Sequence, residues 1–243
     1  MRNVSLIALR EFKSFFRTPL GPIVAAAVLL IDGLLFQGMA MGGTGASRLS
    51  AKVLEDFFFW SGGVAAAAAI VLSMRLIAHE REKGTLVLIN TAPIKDRQII
   101  LGKFLALFGF LLGLTVLTVY MPALIFVNGR VSIAHILVGY LGMTLYFSTA
   151  IAVGLFASAL ARTQVISVVI GGIIMLILII MWYIAKVADP PVNTFLLSLA
   201  VHHQRQAGFM NGVLRFENVV YYLAVTYFFL LAAIKTLEAR RWR

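Results

Sequence analysis

The chain of 243 residues contains no cysteine, which excludes disulfides and cysteine-based metal sites and leaves the redox compartment unmarked. Charge is scarce as well. Only 13% of positions are Asp, Glu, Lys or Arg, against about 25% in soluble domains. Several chemical signatures are missing too. No G-x-x-x-x-G-K-[ST] loop occurs, so ATP is not held by that route, and there is no G-x-S-x-G nucleophile elbow. His79-Glu80-Arg81-Glu82-Lys83 stops one residue short of H-E-x-x-H, and lysine in the last place removes a ligand that zinc needs. His202 and His203 are adjacent, so their side chains diverge, and they read as solvated loop histidines rather than a metal pair. No internal repeat and no low-complexity tract is present.

What remains is apolar. Hydrophobic residues fill 61% of the sequence, too much for one soluble core of this size, so the bilayer is expected to solvate most of it. Runs near 20–41, 57–78, 104–127, 134–157, 165–185 and 217–236 each approach the about 20 residues needed to cross a membrane. Six spans place both termini on one side. That side carries fifteen Lys and Arg against six on the other, which makes it cytoplasmic. Aromatic clusters at Phe57–Trp60 and Trp182–Tyr183 fall at the opposite span ends, as an interfacial belt requires. The net charge of +11 is gathered at span ends rather than on one groove-like face, so it fits anionic headgroups and not nucleic acid.

Three segments lie outside this scheme of spans. Residues 1–18 alternate Arg2, Arg10, Lys13 and Arg17 with Leu6, Leu9, Phe12, Phe15 and Phe16, the makeup of an amphipathic helix in the inner interface before Pro19 and Pro22 turn the chain. Residues 186–216 hold two short apolar stretches, expected as outer interfacial or re-entrant helices. The island from Glu80 to Lys103, with a basic flank from Arg75 on, carries six basic residues and a short apolar run fenced by Gly84 and Pro93. It reads as a small amphipathic helix at the cytoplasmic surface, available to a partner. Within the first span, Asp32 and Gln37 are the polar residues, read either as a wall of a substrate path or, for Asp32, as a lock between helices.

The island resembles the permease subunits of ABC type-2 transporters, in particular the gliding-motility type. Glu80, Glu82, Gly84, Thr85, Ile89, Pro93, Ile94, Ile99, Ile100, Gly102 and Lys103 fall in register with the pattern of those proteins. Gly154-Leu155-Phe156-Ala157-Ser158 leading to Gln164 is similar to their turn between spans four and five. The run from Asn211 to Trp242 is similar to their ending. The resemblance implies an all-α integral membrane protein forming a single permease domain over 1–243. Its parts would be six spans, the N-terminal amphipathic helix, a coupling helix between spans two and three, and outer re-entrant helices before span six. It implies that ATP and magnesium belong to a pair of separate ATPase subunits and not to this chain, which would be no enzyme. A second permease subunit, a copy or a paralogue, would complete an exporter in the cytoplasmic membrane of a bacterium or archaeon. Glu80, Glu82, Gly84, Thr85, Leu86, Ile89 and Pro93 would then couple to the ATPase. One departure stands out: His202-His203-Gln204-Arg205 has no acidic residue where gliding-type members usually carry a Glu. The alternatives are an ABC assembly that transmits force or signal without transport, and, in a different class, a lipid-modifying membrane enzyme. The enzyme would need clustered His, Asp, Glu or Ser at one depth, and the spans offer Asp32 alone.

Overall fold

The computed structural model describes residues 2–42, 51–85, 94–128 and 131–241. Among them the regular structure is helical. In chain order the helices are α1 (Arg2–Arg17), α2 (Leu20–Gly42), α3 (Ala51–Ser73), α4 (Ala78–Glu82), α5 (Asp96–Leu117), α6 (Tyr120–Asn128), α7 (Ile133–Leu160), α8 (Gln164–Ala185), α9 (Val192–Leu199), α10 (His203–Met210) and α11 (Phe216–Arg241). Six candidate membrane spans result, the second running from Ala51 to Glu82 and the third from Asp96 to Ile125, each across a break.

Both breaks differ from the uninterrupted spans expected. Residues 74–77 form turns, so α3 ends at Ser73 and α4 begins afresh at Ala78. Between α5 and α6 the helix opens at Thr118 and Val119. Pro122 explains the second break, because its ring displaces the carbonyl four residues back and it has no N–H to offer it. The Met121 N–H makes up the loss by donating to the Thr118 carbonyl at 3.0 Å.

The bundle is built around α7, which packs against α3, α5, α8, α10 and α11 and is buried along most of its second half. Hydroxyls join α7 to α11: Thr149 Oγ1 lies 3.0 Å from Thr226 Oγ1, and Ser148 Oγ lies 3.4 Å from it. In hydrocarbon such pairs hold helices together where hydrophobicity gives no preference. By contrast α2, α8 and α11 leave much apolar surface outward, Leu34, Val169, Ile173 and Phe228 among it, as lipid-facing helices do.

At the end opposite the termini, α9 and α10 cap the bundle. Tyr222 Oη donates to Val201 O at 2.6 Å, Asn218 Nδ2 donates to Arg205 O, and the His135 ring bonds Met210 O. The expectation of solvated histidines is corrected here. His202 is 6% exposed, stacked on Tyr146 at 4.8 Å and close to Phe59 at 4.6 Å. His203 stacks on Trp182 at 4.1 Å. The rings do diverge, but each diverges into an aromatic wall. Burial drives the His202 imidazole down to about 4, with His203 adding to the shift and Gln206 weakly opposing it.

Candidate functional site

The two motif segments meet at the end of the bundle that holds both termini. Helix α4 carries the sequence A-H-E-R-E and stops in a Schellman turn. The Thr85 N–H bonds Glu80 O at 2.9 Å and the Gly84 N–H bonds Arg81 O at 3.0 Å. Gly84 stands at φ +71°, a conformation that costs glycine nothing and most residues about 1 kcal/mol or more. The Thr85 hydroxyl adds a bond to the same Glu80 carbonyl. The G-T pair is thus a helix stop, and it delivers the chain into residues 86–93 at a fixed place. Leu86, Ile89 and Pro93 lie outside the described residues.

The start of α4 is held by the other motif. Ser158 Oγ accepts from Ala78 N at 2.9 Å and from Ile77 N at 3.2 Å, satisfying two amides that the turn would otherwise strand. Gly154, one turn earlier on α7, lets Ser73 approach, since a Cβ there would stand 2.5 Å from Ser73 Oγ. Arg81 reaches across to the carbonyls of Ala159 and Ala161. Gln164 Nε2 donates to Glu82 Oε2 at 2.9 Å. In G-L-F-A-S…Q, Gly154 is thus small to admit Ser73, Ser158 caps the start of α4 with its hydroxyl, and Gln164 holds Glu82 side chain to side chain.

The third part is a buried charge cluster. Lys103 on α5 has only 1% of its side chain exposed and lies 2.7 Å from Glu80 and 3.3 Å from Glu11. Arg10 bonds Glu11 at 2.7 Å and stands 3.9 Å from Glu80. Burial pushes the Glu11 carboxyl up, but Lys103 and Arg10 together outweigh it and hold the group below the ordinary carboxylate range. Arg75, from the turn after α3, bonds the Thr18 hydroxyl at 2.8 Å. In this way α1, α4 and α5 are joined by one ammonium, and a polar cavity of about 410 Å³ opens between α1 and α4 beside it.

The expected coupling residues therefore divide. Glu80 is engaged within the chain by Lys103, at 2.7 Å. Glu82, Lys83, Gly84 and Thr85 are exposed, and they present the loop's near edge. Lys103 and Glu11, 92 positions apart, were not foreseen as a pair. The available signal was a lysine inside the apolar run of α5 and the single acidic residue of the basic α1.

Asp32 and Gln37 lie on different sides of α2. Five residues rotate a helix by about 140°, so Asp32 points inward with no measurable exposure while Gln37 is exposed. Neither Asp32 oxygen has a hydrogen-bond partner of good geometry. A cavity of about 10 Å³ lies against it among Val28, Ala65, Thr115, Thr118 and Met143.

Residues 11–180 match the family described as ABC-2 family transporter protein, more than half of the chain. The chain belongs to that family. The matched stretch of the ABC-2 member takes in Glu11, the whole of α4, Lys103 and Ser158, so the collar built by these residues lies inside the family region. No curated protein matches the chain. ABC-2 membership agrees with the six apolar helices and with a membrane subunit of an ABC transporter that has no phosphate loop of its own.

Proposed function

We propose that this chain is the permease subunit of an ATP-driven exporter of the gliding-motility type, with both termini cytoplasmic, paired with a second permease subunit and driven by two ATPase subunits. The ATPase docks on residues 80–93, and its motion enters the bundle through α4. The observation that supports this reading is the helix stop at Gly84, fixed on one side by Ser158 and on the other by Lys103, with Glu82 to Thr85 exposed beyond it. A loop that merely set topology would need no such anchoring. Leu86, Leu88 and Ile89 supply the apolar contact, since burial against a partner is worth about 25 cal/mol per Å² of apolar area. Glu82 supplies a charge at its edge.

The double change Glu82→Arg with Leu86→Asp tests this. The variant should insert and fold normally but lose the co-purifying ATPase, or retain it with hydrolysis uncoupled from transport. Retention of the ATPase with normal transport overturns the docking assignment. Cysteines at Ser5, Asn193 and Ala239 test the orientation. Only Asn193 should be labelled from outside intact cells.

A further inference from the structure

Two cations at the end of the bundle that holds the termini are left over when the charges there are matched. The cavity of about 410 Å³ between α1 and α4 is lined by Arg10, Glu11, Arg75, Glu80 and Lys83, with Ser14 and Thr18 along its α1 wall. Lys103 answers both carboxylates, while Arg10 bonds Glu11 and approaches Glu80. That set is neutral, two acids against two bases. Arg75 and Lys83 remain, and among the described residues neither has a carboxylate within 4 Å. All ten Asp and Glu of the chain lie in described segments, so the chain brings no acidic side chain to them.

The two cations converge although they come from different elements. Arg75 lies in the turn after α3 and Lys83 closes α4. Both stand near enough to His79 to act on its ring electrostatically. Arg75 is half-buried, and the Thr18 hydroxyl holds its guanidinium at 2.8 Å while donating to Ser14 O at 3.0 Å. A guanidinium fixed in this way loses little freedom on meeting an oxyanion. On another face of α1, Leu6, Leu9 and Phe16 are exposed. They seat this helix in the interface, which sets the cavity beside it at headgroup depth.

We infer that this cavity is a binding site for a phosphate group, which at this depth is the headgroup of an anionic phospholipid. Arg75 and Lys83 share the phosphate oxygens, with the α1 hydroxyls at the edge. The volume falls in the range of about 300–1,000 Å³ usual for ligand sites. A phosphodiester suits two cations on separate elements, because its oxygens diverge and arginine meets them two at a time. Basic pockets between helices at a membrane face hold such headgroups. Bound there, the lipid joins α1 to the end of α4. The site requires neither the ATPase nor the orientation proposed above, so its failure would leave that reading untouched.

The test uses the full chain purified in detergent without any ATPase, and reads lipid retention by native mass spectrometry together with the melting temperature. Phosphatidylglycerol should be retained and raise the melting temperature, whereas diacylglycerol with the same chains should do neither. Arg75→Gln and Lys83→Gln should each weaken retention by about tenfold, the worth of one hydrogen bond to a charged group. Lys83 is exposed, so its variant carries the test if Arg75→Gln does not fold. Lys13→Gln with Arg17→Gln, two cations of α1 outside the cavity, should leave retention unchanged. Stabilisation by inorganic phosphate that both cavity variants abolish, with no preference for phosphatidylglycerol, keeps the phosphate site and makes its source a soluble phosphate. Equal retention of the two lipids with no effect of inorganic phosphate overturns the proposal. So does retention that neither cavity variant changes, or a loss as large in the Lys13 and Arg17 control, which would mean attraction spread over the surface.

Discussion

A Cβ on Gly102 would stand 2.7 Å from Cγ2 of Ile7 and 3.1 Å from the carbonyl of Val4, so α5 meets α1 backbone to side chain. About two turns further along, a Cβ on Gly109 would only touch the Phe12 ring, at 3.8 Å, and Phe15 stacks on Phe110 at 5.2 Å. The interfacial helix is therefore seated in a groove of α5 and does not merely float beside it.

Gly102→Val should lift α1 from this seat. Overpacking of this kind costs about 1–3 kcal/mol, with Gly102→Ala at the low end. A cysteine at Ile7 should become reactive to a soluble maleimide in Gly102→Val and stay slow in the parent chain.

Removing the ammonium at Lys103 leaves Glu11 and Glu80 facing each other with little solvent. Lys103→Met should destabilise the fold by about 3–5 kcal/mol. Adding Glu80→Gln should recover a measurable part of the loss. A double-mutant cycle in thermal unfolding reads the coupling, and strict additivity would mean the pair does not interact.

Ser158→Ala strands the amides of Ile77 and Ala78 at a buried turn. An unsatisfied buried donor costs about 1–3 kcal/mol, and hydrogen exchange at Ala78 should accelerate accordingly. Ser158→Thr keeps the hydroxyl and should retain part of the protection.

The cap should weaken in acid. An unfolded His202 imidazole, near its ordinary 6.5, takes up a proton before the folded one near 4 does. The stability that neutral His202 contributes is thus complete above about 6.5 and is lost as pH falls towards 4. The melting temperature should drop through that window. His202→Phe should reduce the slope, leaving a remainder from His203, which burial and Lys186 also hold low.

Asp32 has no good hydrogen bond to lose. A carboxylate near the centre of a span costs about 2.5–3.5 kcal/mol on insertion scales, so Asp32→Asn should raise the melting temperature. A fall would show that the carboxylate is bonded within the bundle after all.

The span count and the position of each span centre were legible because apolar run length reports the thickness of the bilayer. The ends were less so. Helix α5 begins at Asp96 and α11 continues to Arg241, beyond their apolar runs, because the hydrogen-bond ladder does not stop where the hydrocarbon does. The break before Pro122 was available in the sequence and passed over. At the collar, the motif residues Glu80, Gly84, Gly102 and Lys103 were visible as marks, but not their purposes. Lys103 finds Glu11 only once α1 has folded back on α5, and Ser158 finds α4 across some eighty residues, relations that local periodicity does not encode.

Three consecutive carbonyls end α7, and they are claimed by two arginines from different parts of the chain: Arg81 holds Ala159 and Ala161, and Arg240 holds Leu160 at 2.6 Å. Sliding α4 by more than a hydrogen bond's tolerance would strip two of these acceptors and leave the third still fixed to α11. The last turn of α7 is thus the point at which α4 and α11 are tied to the middle of the bundle, one arginine from each holding neighbouring carbonyls.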